Sequence, residues 1–359
     1  MQVAGLSDGK GRRQLVIAPN WIGDTAMAAP FFASLRAAYP NDRLEALASP
    51  WSAGLLDVYP WVDKVHRMAS GKWRTFFASR PLRRGGEIST LWLLPNSFRS
   101  ALLGFWLGGV NRIGYATGGR GALLTHAPSP PPESPPPHLI DYYLGLLEAE
   151  GHQPAHRETT LPVAPVAAEF VDKLLADEAL NGDGPLIGFH PGAFFGGSKT
   201  WPPESYGDLA RRLAAKTRAR VVVMGGPDEV ELATRVCDAA GSAAVNLAGK
   251  DTLGALPAIL ARLSVLVSGD TGPLHIAALV GTPTLSLFGP TDPRRTAPRG
   301  LAHILLQRDL ACSPCFKRVC PLGHHDCMND ISSEEVAGEV ERILNSAMDE
   351  WPTEARAES

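Results

Sequence analysis

The sequence lacks three features, each of which would assign it to a broad class of protein. No apolar run approaches the roughly 20 residues that a transmembrane helix needs, so we expect no membrane span. The formal net charge is −3, which gives none of the general basicity of nucleic-acid-binding proteins. The first residues, MQVAGLSDGKGRR, contain no apolar core typical of a signal peptide. These absences predict a cytoplasmic protein with no nucleic-acid partner.

Two common nucleotide-binding motifs are also missing. A dinucleotide-binding domain carries G-x-G-x-x-G directly after its first strand, whereas here the first strand is followed by PNWIGDT, with a single glycine. The run GAFFGGSKT from Gly192 is close to a phosphate-binding P-loop, but Ser198 separates Gly197 from Lys199. The prolines that follow Trp201 also stand where a P-loop needs its helix. The sequence therefore predicts neither motif.

Cysteine is scarce, with five residues in 359, but four of the five lie close together. Their first spacing, C-x2-C, is compatible with zinc, and two histidines stand before the last cysteine. The later spacings match no common zinc pattern, and a reducing compartment argues against permanent disulfides. A structural metal and a loop of reduced thiols therefore both stay open, and we expect no catalytic metal. The cluster comprises Cys312, Cys315, Cys320 and Cys327, with His324 and His325 between the last two.

Strand-like and helix-like runs alternate along the chain, which predicts βαβ units and parallel sheets. The proline-rich run 128–137 must be an exposed loop, and 158–166 has the composition of a linker. We therefore predict two Rossmann-like domains, 1–160 and 161–345, and a tail, 346–359. Strands are predicted at 14–18, 43–48, 88–94, 112–115, 185–190, 220–224, 265–267 and 283–288. Helices are predicted at 25–38, 98–107, 139–150, 206–219, 229–240, 253–263 and 272–280.

The most informative run is VLVSGDTGPLHIAALVGTPTLSLFGP, which begins at Val265. It predicts a strand, a helix that starts at Thr271–Gly272 and a second strand. Ligands of parallel sheets bind at the carboxyl ends of strands, and the exposed N–H groups of a helix start suit a diphosphate. His275 lies one turn into that helix and can add a hydrogen bond. Alternatively, Asp270 only caps the helix and His275 is an ordinary half-buried residue.

The turn after the first strand is the second candidate site. The run Asn20–Thr25 (NWIGDT) places the carboxylate of Asp24 at the end of that strand and the start of a helix. A carboxylate there can accept a proton from an incoming hydroxyl, which is the task of a general base. The alternative is again a helix cap.

Three blocks of sequence together resemble the lipopolysaccharide heptosyltransferases of glycosyltransferase family nine. They are PNWIGDTAMAAP near the start, FHPGAFFGGSKTWPPESY in the middle and SGDTGPLHIAALVGTPTLSLFGPTDP later in the chain. The cysteine-containing segment CSPCFKRVCPLGHHDCM, and Trp21-Ile22 before Gly23-Asp24, are most similar to the type II branch of that family. The resemblance runs from about residue 14 to residue 340 of the chain.

The resemblance implies the GT-B fold, in which two Rossmann-like parallel-sheet domains face each other across a cleft. It implies that the N-terminal domain binds a lipid A-core glycolipid and the C-terminal domain binds ADP-heptose. The implied reaction is an inverting transfer of L-glycero-D-manno-heptose to the first heptose of the lipopolysaccharide inner core. No cofactor or metal is implied. The enzyme would act in the cytoplasm, with peripheral contact at the inner membrane.

The resemblance also implies roles for particular residues. Asp24 matches the proposed catalytic base of the family, and Lys199 matches the lysine that reaches the phosphates and sugar of the donor. The block that holds the diphosphate contributes Asp270, Thr271, Gly272 and His275. We expect further donor contacts from the strand-end residues Gly192, Gly225 and Asp228.

A run of basic residues without an intervening acid, in which aromatic residues are interleaved, is our candidate for acceptor binding. It fits an anionic glycolipid at a membrane surface, although a solvated charged face would have the same composition. The acceptor-binding candidates are Lys64, Arg67, Lys72, Arg74, Arg83 and Arg84.

Other activities stay open at this point. A type I or type III heptosyltransferase, another GT-B transferase or a sugar epimerase would have a similar donor site. An epimerase would turn over without any acceptor. A non-catalytic protein that binds sugars or nucleotides would bind the donor tightly and would not need Asp24.

Overall fold

The computed structural model describes residues 11–69, 74–132, 134–193, 196–300 and 302–349. The chain divides into two compact units between Thr159 and Thr160. Each unit is built around one parallel β-sheet, which confirms the prediction of two Rossmann-like sheets. Among the described residues, no helix is long and apolar enough to cross a membrane.

The first unit contains a five-stranded parallel sheet with the order β3-β2-β1-β4-β5. The central strand β1 is buried along its whole length, because neighbouring strands flank it and helices cover its faces. The strands are β1 (Arg13–Ile17), β2 (Arg43–Ala48), β3 (Lys64–Arg67), β4 (Thr90–Leu93) and β5 (Asn111–Ile113). The helices are α1 (Ile22–Met27), α2 (Ala29–Ala38), α3 (Pro50–Leu56), α4 (Arg74–Ala78), α5 (Arg80–Arg84), α6 (Phe98–Leu107) and α7 (Leu139–Ala149).

Several features of the first unit differ from the sequence prediction: helices α3, α4 and α5 were not predicted, and two further differences have a local cause. The helix predicted over 25–38 is two helices, α1 and α2, which meet at Ala28. Pro30 explains the break, because it lacks the N–H that would continue α1 and fits the first turn of α2. Strand β3 was not predicted, since its sequence, KVHR, contains no apolar run. The described residues of the loop 128–137 form neither helix nor strand, as predicted.

The second unit contains a six-stranded parallel sheet with the order β11-β10-β9-β6-β7-β8. Its strands are β6 (Leu186–His190), β7 (Arg220–Val223), β8 (Ala244–Asn246), β9 (Val265–Gly269), β10 (Thr284–Phe288) and β11 (His303–Gln307). Its helices are α8 (Pro165–Asp177), α9 (Pro203–Thr217), α10 (Val230–Ala240), α11 (Leu256–Ala261), α12 (Gly272–Leu279), α13 (Pro293–Thr296), α14 (Asp326–Asn329) and α15 (Ser333–Asp349).

The ends of the second unit also correct the sequence prediction. The predicted linker 158–166 overlaps α8, because Pro165 is a favoured first residue of a helix. The predicted tail 346–359 overlaps α15, which continues through Asp349, and the remainder of that tail lies outside the described residues. Helix α15 packs on α9 and contributes Val336 and Val340 to the core of the unit.

Trp201 anchors the loop that follows β6. Its side chain is buried, its indole N–H donates to the carbonyl of Ile331 at 2.9 Å, and its ring packs edge-on against Tyr206 at 4.8 Å. The Trp201 side chain therefore attaches the WPP run, which is incompatible with a P-loop, to the core of the unit. It lies two residues after Lys199, so it limits where that lysine can reach.

Candidate active site

The functional residues predicted in the second unit come from the carboxyl edge of its sheet. In the strand register His190, the last residue of β6, pairs with Ser268, and Gly269 pairs with Leu287 of β10. The residues that follow β6, β7, β9 and β10 therefore emerge side by side. This is the edge at which parallel sheets bind their ligands.

Lys199, Asp270 and His275 form one buried cluster at this edge. The ammonium of Lys199 donates to the Asp270 carboxylate at 2.6 Å and to the Asp270 backbone carbonyl at 2.9 Å. The imidazole Nε2 of His275 lies 3.3 Å from the other carboxylate oxygen of Asp270. The side chains of Lys199 and Asp270 are only 11% and 7% exposed. The structure thus brings together three of the predicted donor-site residues.

The surroundings of Asp270 keep its carboxylate ionised. Burial by itself would raise the pKa of this group, but His275 and Lys199 outweigh burial and hold the pKa well below its ordinary value. Asp270 is not the cap of α12, because Thr271 occupies that position and the Asp270 carboxylate binds Lys199 and His275 instead. The capping interpretation of Asp270 is therefore wrong. We assign Asp270 to holding the lysine in place.

A second polar cluster, which sequence reasoning missed, lies beside the first. The imidazole of His190 lies 3.3 Å from the Thr271 hydroxyl through Nδ1 and 3.4 Å from Glu229 through Nε2. Glu229 also accepts the backbone N–H of Gly226 at 2.8 Å. Burial would raise the pKa of Glu229, but His190 and this N–H lower it. The available sequence clue was position, since both residues come at or just after the end of a strand.

Two of the predicted donor-site glycines are required by close packing at this edge. A Cβ added to Gly192 would lie 1.8 Å from the carboxylate of Glu229, and one added to Gly225 would lie 3.0 Å from the Glu229 Cβ. Both glycines therefore leave room for Glu229 to reach Gly226 and His190. The predicted donor residue Asp228 is exposed in the short 3-10 turn that follows β7.

The segment that carries the four clustered cysteines supports the Lys199 loop. Ser198 donates its hydroxyl to the carbonyl of Lys317 at 2.5 Å and its N–H to that of Arg318 at 3.2 Å. The imidazole of His325 lies 2.7 Å from the Ser198 carbonyl. The segment 312–327 therefore braces the residue that precedes Lys199.

The four cysteines line a small cavity behind this loop, together with His324 and His325. Each of the four cysteines is a free thiol. Burial and the neighbouring cysteines raise the pKa of Cys327 to about 11, which favours its neutral form. In the described part of the chain, no group of three or more His, Cys, Asp or Glu side chains is arranged to hold a metal ion.

Asp24 lies at the carboxyl edge of the sheet in the first unit. It is half-buried in the first turn of α1, where the helix dipole favours a negative charge. The cap position of α1 is held by Trp21, so Asp24 is not the cap. Burial raises the pKa of Tyr143, and the nearby charge of Asp24 raises it further. The carboxylate therefore stands beside a tyrosine that stays neutral.

Exposed aromatic side chains surround this edge, and sequence reasoning did not identify them. Trp51, Trp21 and Phe98 are 60%, 48% and 53% exposed. They follow β2, β1 and β4, which are neighbours in the sheet. Large exposed apolar side chains in one row are typical of a binding surface.

The predicted acceptor-binding residues fall on three elements of the first unit. Lys64 and Arg67 begin and end β3, Arg74 begins α4, and Arg83 and Arg84 end α5; all five are exposed. Arg67 pairs with Asp57, and the guanidinium of Arg83 lies over the Trp106 ring at 5.3 Å. Lys72 lies outside the described residues.

Comparison with known proteins places these observations in one family. Residues 84–325 match the model of glycosyltransferase family 9 (heptosyltransferase). Lipopolysaccharide heptosyltransferase 2 of Salmonella typhimurium is 29% identical, over 92% of this chain and 98% of its own length. Lipooligosaccharide heptosyltransferase 2 of Haemophilus influenzae is 31% identical, over 92% of this chain and 99% of its own length.

A solved structure agrees with the sequence comparisons. The E. coli ADP-heptose LPS heptosyltransferase II structure superposes with a TM-score of 0.78 at 25% identity, covering 94% of this chain and 99% of that one. The two parallel-sheet domains and this likeness confirm the predicted GT-B fold class.

Proposed function

The chain belongs to glycosyltransferase family 9, and we propose that it transfers L-glycero-D-manno-heptose from ADP-heptose to the first heptose of the lipopolysaccharide inner core. Full-length likeness to heptosyltransferases 2 of several bacteria supports this assignment. Family membership makes the protein a glycosyltransferase, so the epimerase and the non-catalytic alternatives are set aside. The observation in the structure that carries the proposal is the Lys199–Asp270–His275 cluster beside the start of α12.

This cluster fits the diphosphate of a nucleotide-sugar donor. Lys199 brings a positive charge whose position is fixed by two hydrogen bonds to Asp270. The first turn of α12, from Gly272, adds backbone N–H groups and the positive end of the helix dipole. As the bond from the anomeric carbon to the diphosphate breaks, negative charge develops on the leaving oxygen. Groups fixed in advance around that charge stabilise the transition state.

The strand-end residues around Glu229 complete our donor-site assignment. His190 connects Thr271 to Glu229, and Glu229 holds the backbone of Gly226. We assign Thr271, Gly192, Gly225 and Asp228 to the donor side, where this edge of the sheet would receive the nucleotide. His190 and Glu229 position these loops.

On the acceptor side, Asp24 serves as the general base. Inversion requires the acceptor hydroxyl to attack the anomeric carbon on the face opposite the leaving ADP. Asp24 would accept the hydroxyl proton during this attack, and such assistance contributes about 10²–10⁴-fold to a rate. Its position in the first turn of α1 favours the negative charge with which it would accept that proton.

The remainder of the acceptor would contact the exposed surface of the first unit. Trp21, Trp51 and Phe98 offer faces for sugar rings beside Asp24. The basic side chains on β3, α4 and α5 suit the acidic groups of a lipid A-core glycolipid. We further propose that the protein acts in the cytoplasm, at the surface of the inner membrane where such an acceptor resides.

Acceptor-dependent release of ADP tests the proposed function. Purified protein with ADP-heptose is given a lipid A core that carries one heptose, a core without heptose, or no acceptor. The proposal predicts rapid release only with the one-heptose core. Release with the heptose-free core alone would move the assignment to a type I enzyme, and release without any acceptor would contradict the transferase reaction.

A further inference from the structure

A cavity of about 430 Å³ lies in the first unit, whereas the residues assigned above to the donor belong to the second unit. It is bounded by one face of β1, β2 and β3 and by α4 and α5. Along β3 it extends from Lys64, the first residue of the strand, past Arg67 to Ala69. Arg13, Arg43 and Lys64 are the first residues of β1, β2 and β3, so the cavity begins at the amino edge of the sheet and runs toward the edge at which Asp24 lies.

The charged groups around this cavity do not balance. The buried carboxylate of Glu45 is shared by Arg13 at 2.7 Å, His66 at 2.7 Å and Arg43 at 2.8 Å. Arg67 is paired with Asp57. Among the described residues, no carboxylate pairs with Lys64.

Setting the Arg67–Asp57 pair aside, the wall holds three positive charges, those of Arg13, Arg43 and Lys64, against the single negative charge of Glu45. The difference is an excess of two positive charges when His66 is neutral. An excess of this size around a cavity attracts a dianion rather than a neutral sugar.

Arg13 adds an independent indication of a missing ligand. The residue is only 9% exposed and lines the cavity. Its terminal nitrogens donate to the carbonyls of Leu82 and Gly86 and to Glu45, but its buried Nε–H has no hydrogen-bond partner among the described residues. Buried N–H groups are nearly always satisfied, so an orphaned one calls for an explanation.

We propose that this cavity binds a phosphate group of the acceptor glycolipid, through Arg13, Arg43 and Lys64. Arginine guanidinium groups match phosphate oxygens in geometry, and the lysine adds a point charge. Glu45 sets the positions of the two arginines. This inference rests on the proposed function for the identity of the acceptor, but the binding of phosphate itself does not depend on turnover.

The first experiment measures binding without turnover. Inorganic phosphate is titrated into the full chain by calorimetry in the presence of saturating ADP, which occupies the donor site. We expect saturable binding by the wild type, weakened about 10-fold or more in Lys64→Gln and in Arg43→Gln, because each variant removes a charge-assisted contact. Arg157→Gln, which alters an exposed arginine of the same unit outside the cavity, should leave this binding unchanged.

The second experiment identifies the source of the phosphate. With the natural acceptor, Lys64→Gln should raise the acceptor KM about 10-fold and change kcat little, since binding and not chemistry is affected. With an enzymatically dephosphorylated acceptor, the wild type and Lys64→Gln should have the same KM. An equal KM with the natural acceptor would overturn the assignment to the acceptor.

The assignment of the cavity as an anion site would be overturned if the wild type did not bind phosphate. It would also be overturned if the wild type, Lys64→Gln and Arg43→Gln bound phosphate equally well. Either result can occur while acceptor-dependent release of ADP is intact. Failure of the proposed function would instead abolish ADP release and leave the phosphate titration as it is.

Discussion

The carboxyl edges of the two sheets are built in opposite ways. At the edge of the second sheet, Lys199 and Asp270 are almost fully buried and bonded to each other. At the edge of the first sheet, Asp24 is half-buried, and Trp21 and Trp51 are about half exposed. The first arrangement suits a small ligand of fixed charge and the second suits a larger ligand with an extended surface. The difference therefore agrees with a nucleotide-sugar site in one unit and a glycolipid site in the other.

Apart from loss of the Asp24 carboxylate, the largest effect is expected from removing the central cation of the buried edge. Lys199→Ala should lower kcat about 10²–10³-fold, because it removes a preorganised charge next to the leaving diphosphate. It also leaves Asp270 buried beside His275 alone, so the free energy of unfolding should fall, by up to about 3 kcal/mol. Steady-state ADP release and urea unfolding measure the two effects.

Lys250→Ala is the matched control, since Lys250 pairs with Glu178 in the same unit but is much more exposed. It should change kcat by less than about 2-fold and stability by less than about 1 kcal/mol. Equal kcat values for the two variants would show that Lys199 does not contact the donor.

The next largest effect concerns the buried carboxylate of the first unit. Burial would raise the pKa of Glu45, but His66 and Arg13 lower it from 4.5 to about 2. Because the folded-state pKa lies below the unfolded one, Glu45 stabilises the protein by about 3 kcal/mol above pH ~5, and this is lost as the pH falls toward ~2. Glu45→Gln should therefore lose less stability than the wild type between about pH 5 and pH 3.5.

Urea unfolding at several pH values measures this difference. A wild-type protein whose stability falls no faster than that of Glu45→Gln over this interval would show that Glu45 is not held by its cationic neighbours. Glu45 would then not be a counterpart, in the first unit, of the buried and bonded Asp270.

A smaller effect is expected from crowding the buried edge. In Gly192→Ala the added methyl group would displace the Glu229 carboxylate, which would lose its bonds to Gly226 and His190. The KM for ADP-heptose should rise about 5-fold, corresponding to roughly 1 kcal/mol. The KM for the acceptor should stay the same.

Gly338→Ala serves as its control, because this exposed position in α15 has nothing within 4 Å of an added Cβ. It should leave both KM values unchanged and raise stability by about 0.5–1 kcal/mol, as expected for alanine in a helix interior. An unchanged donor KM in Gly192→Ala would show that Glu229 does not shape the donor site.

The smallest effect is expected at the open edge. Trp21→Ala should raise the acceptor KM about 3-fold, since one exposed aromatic face contributes roughly 0.5–1.5 kcal/mol. Phe170→Ala, at an exposed aromatic of the second unit, should leave the acceptor KM as it is. A change in the donor KM of Trp21→Ala, with the acceptor KM constant, would reverse the assignment of the two edges.

The inner strands of both sheets could be predicted from sequence, and several edge strands could not. The unit of β9, α12 and β10 has clear bounds in the sequence, because apolar runs alternate there with glycine and polar residues. The unpredicted strands β3, β8 and β11 all lie at the edge of a sheet. An edge strand has one neighbouring strand and is less completely covered, so its sequence need not contain a long apolar run.

The candidate site could be predicted as a set of residues but not as a set of contacts. The family resemblance pointed to Lys199 and chemistry at a strand end pointed to Asp270, and the two residues are 71 positions apart. That the carboxylate holds the lysine depends on the path of the loop between β6 and Trp201, which no local pattern specifies. His190 and Glu229 were missed for the same reason, since their roles come from packing against Gly192 and Thr271.

The most direct test of the division between the two units is the acceptor-dependent release of ADP by Asp24→Asn. The matched control is Asp141→Asn, which alters another first-turn carboxylate of the first unit. We predict that Asp24→Asn lowers kcat about 10²–10⁴-fold at an unchanged KM for ADP-heptose, and that Asp141→Asn is as active as the wild type. A fully active Asp24→Asn would contradict the account, because the open edge would then supply no base for the transfer.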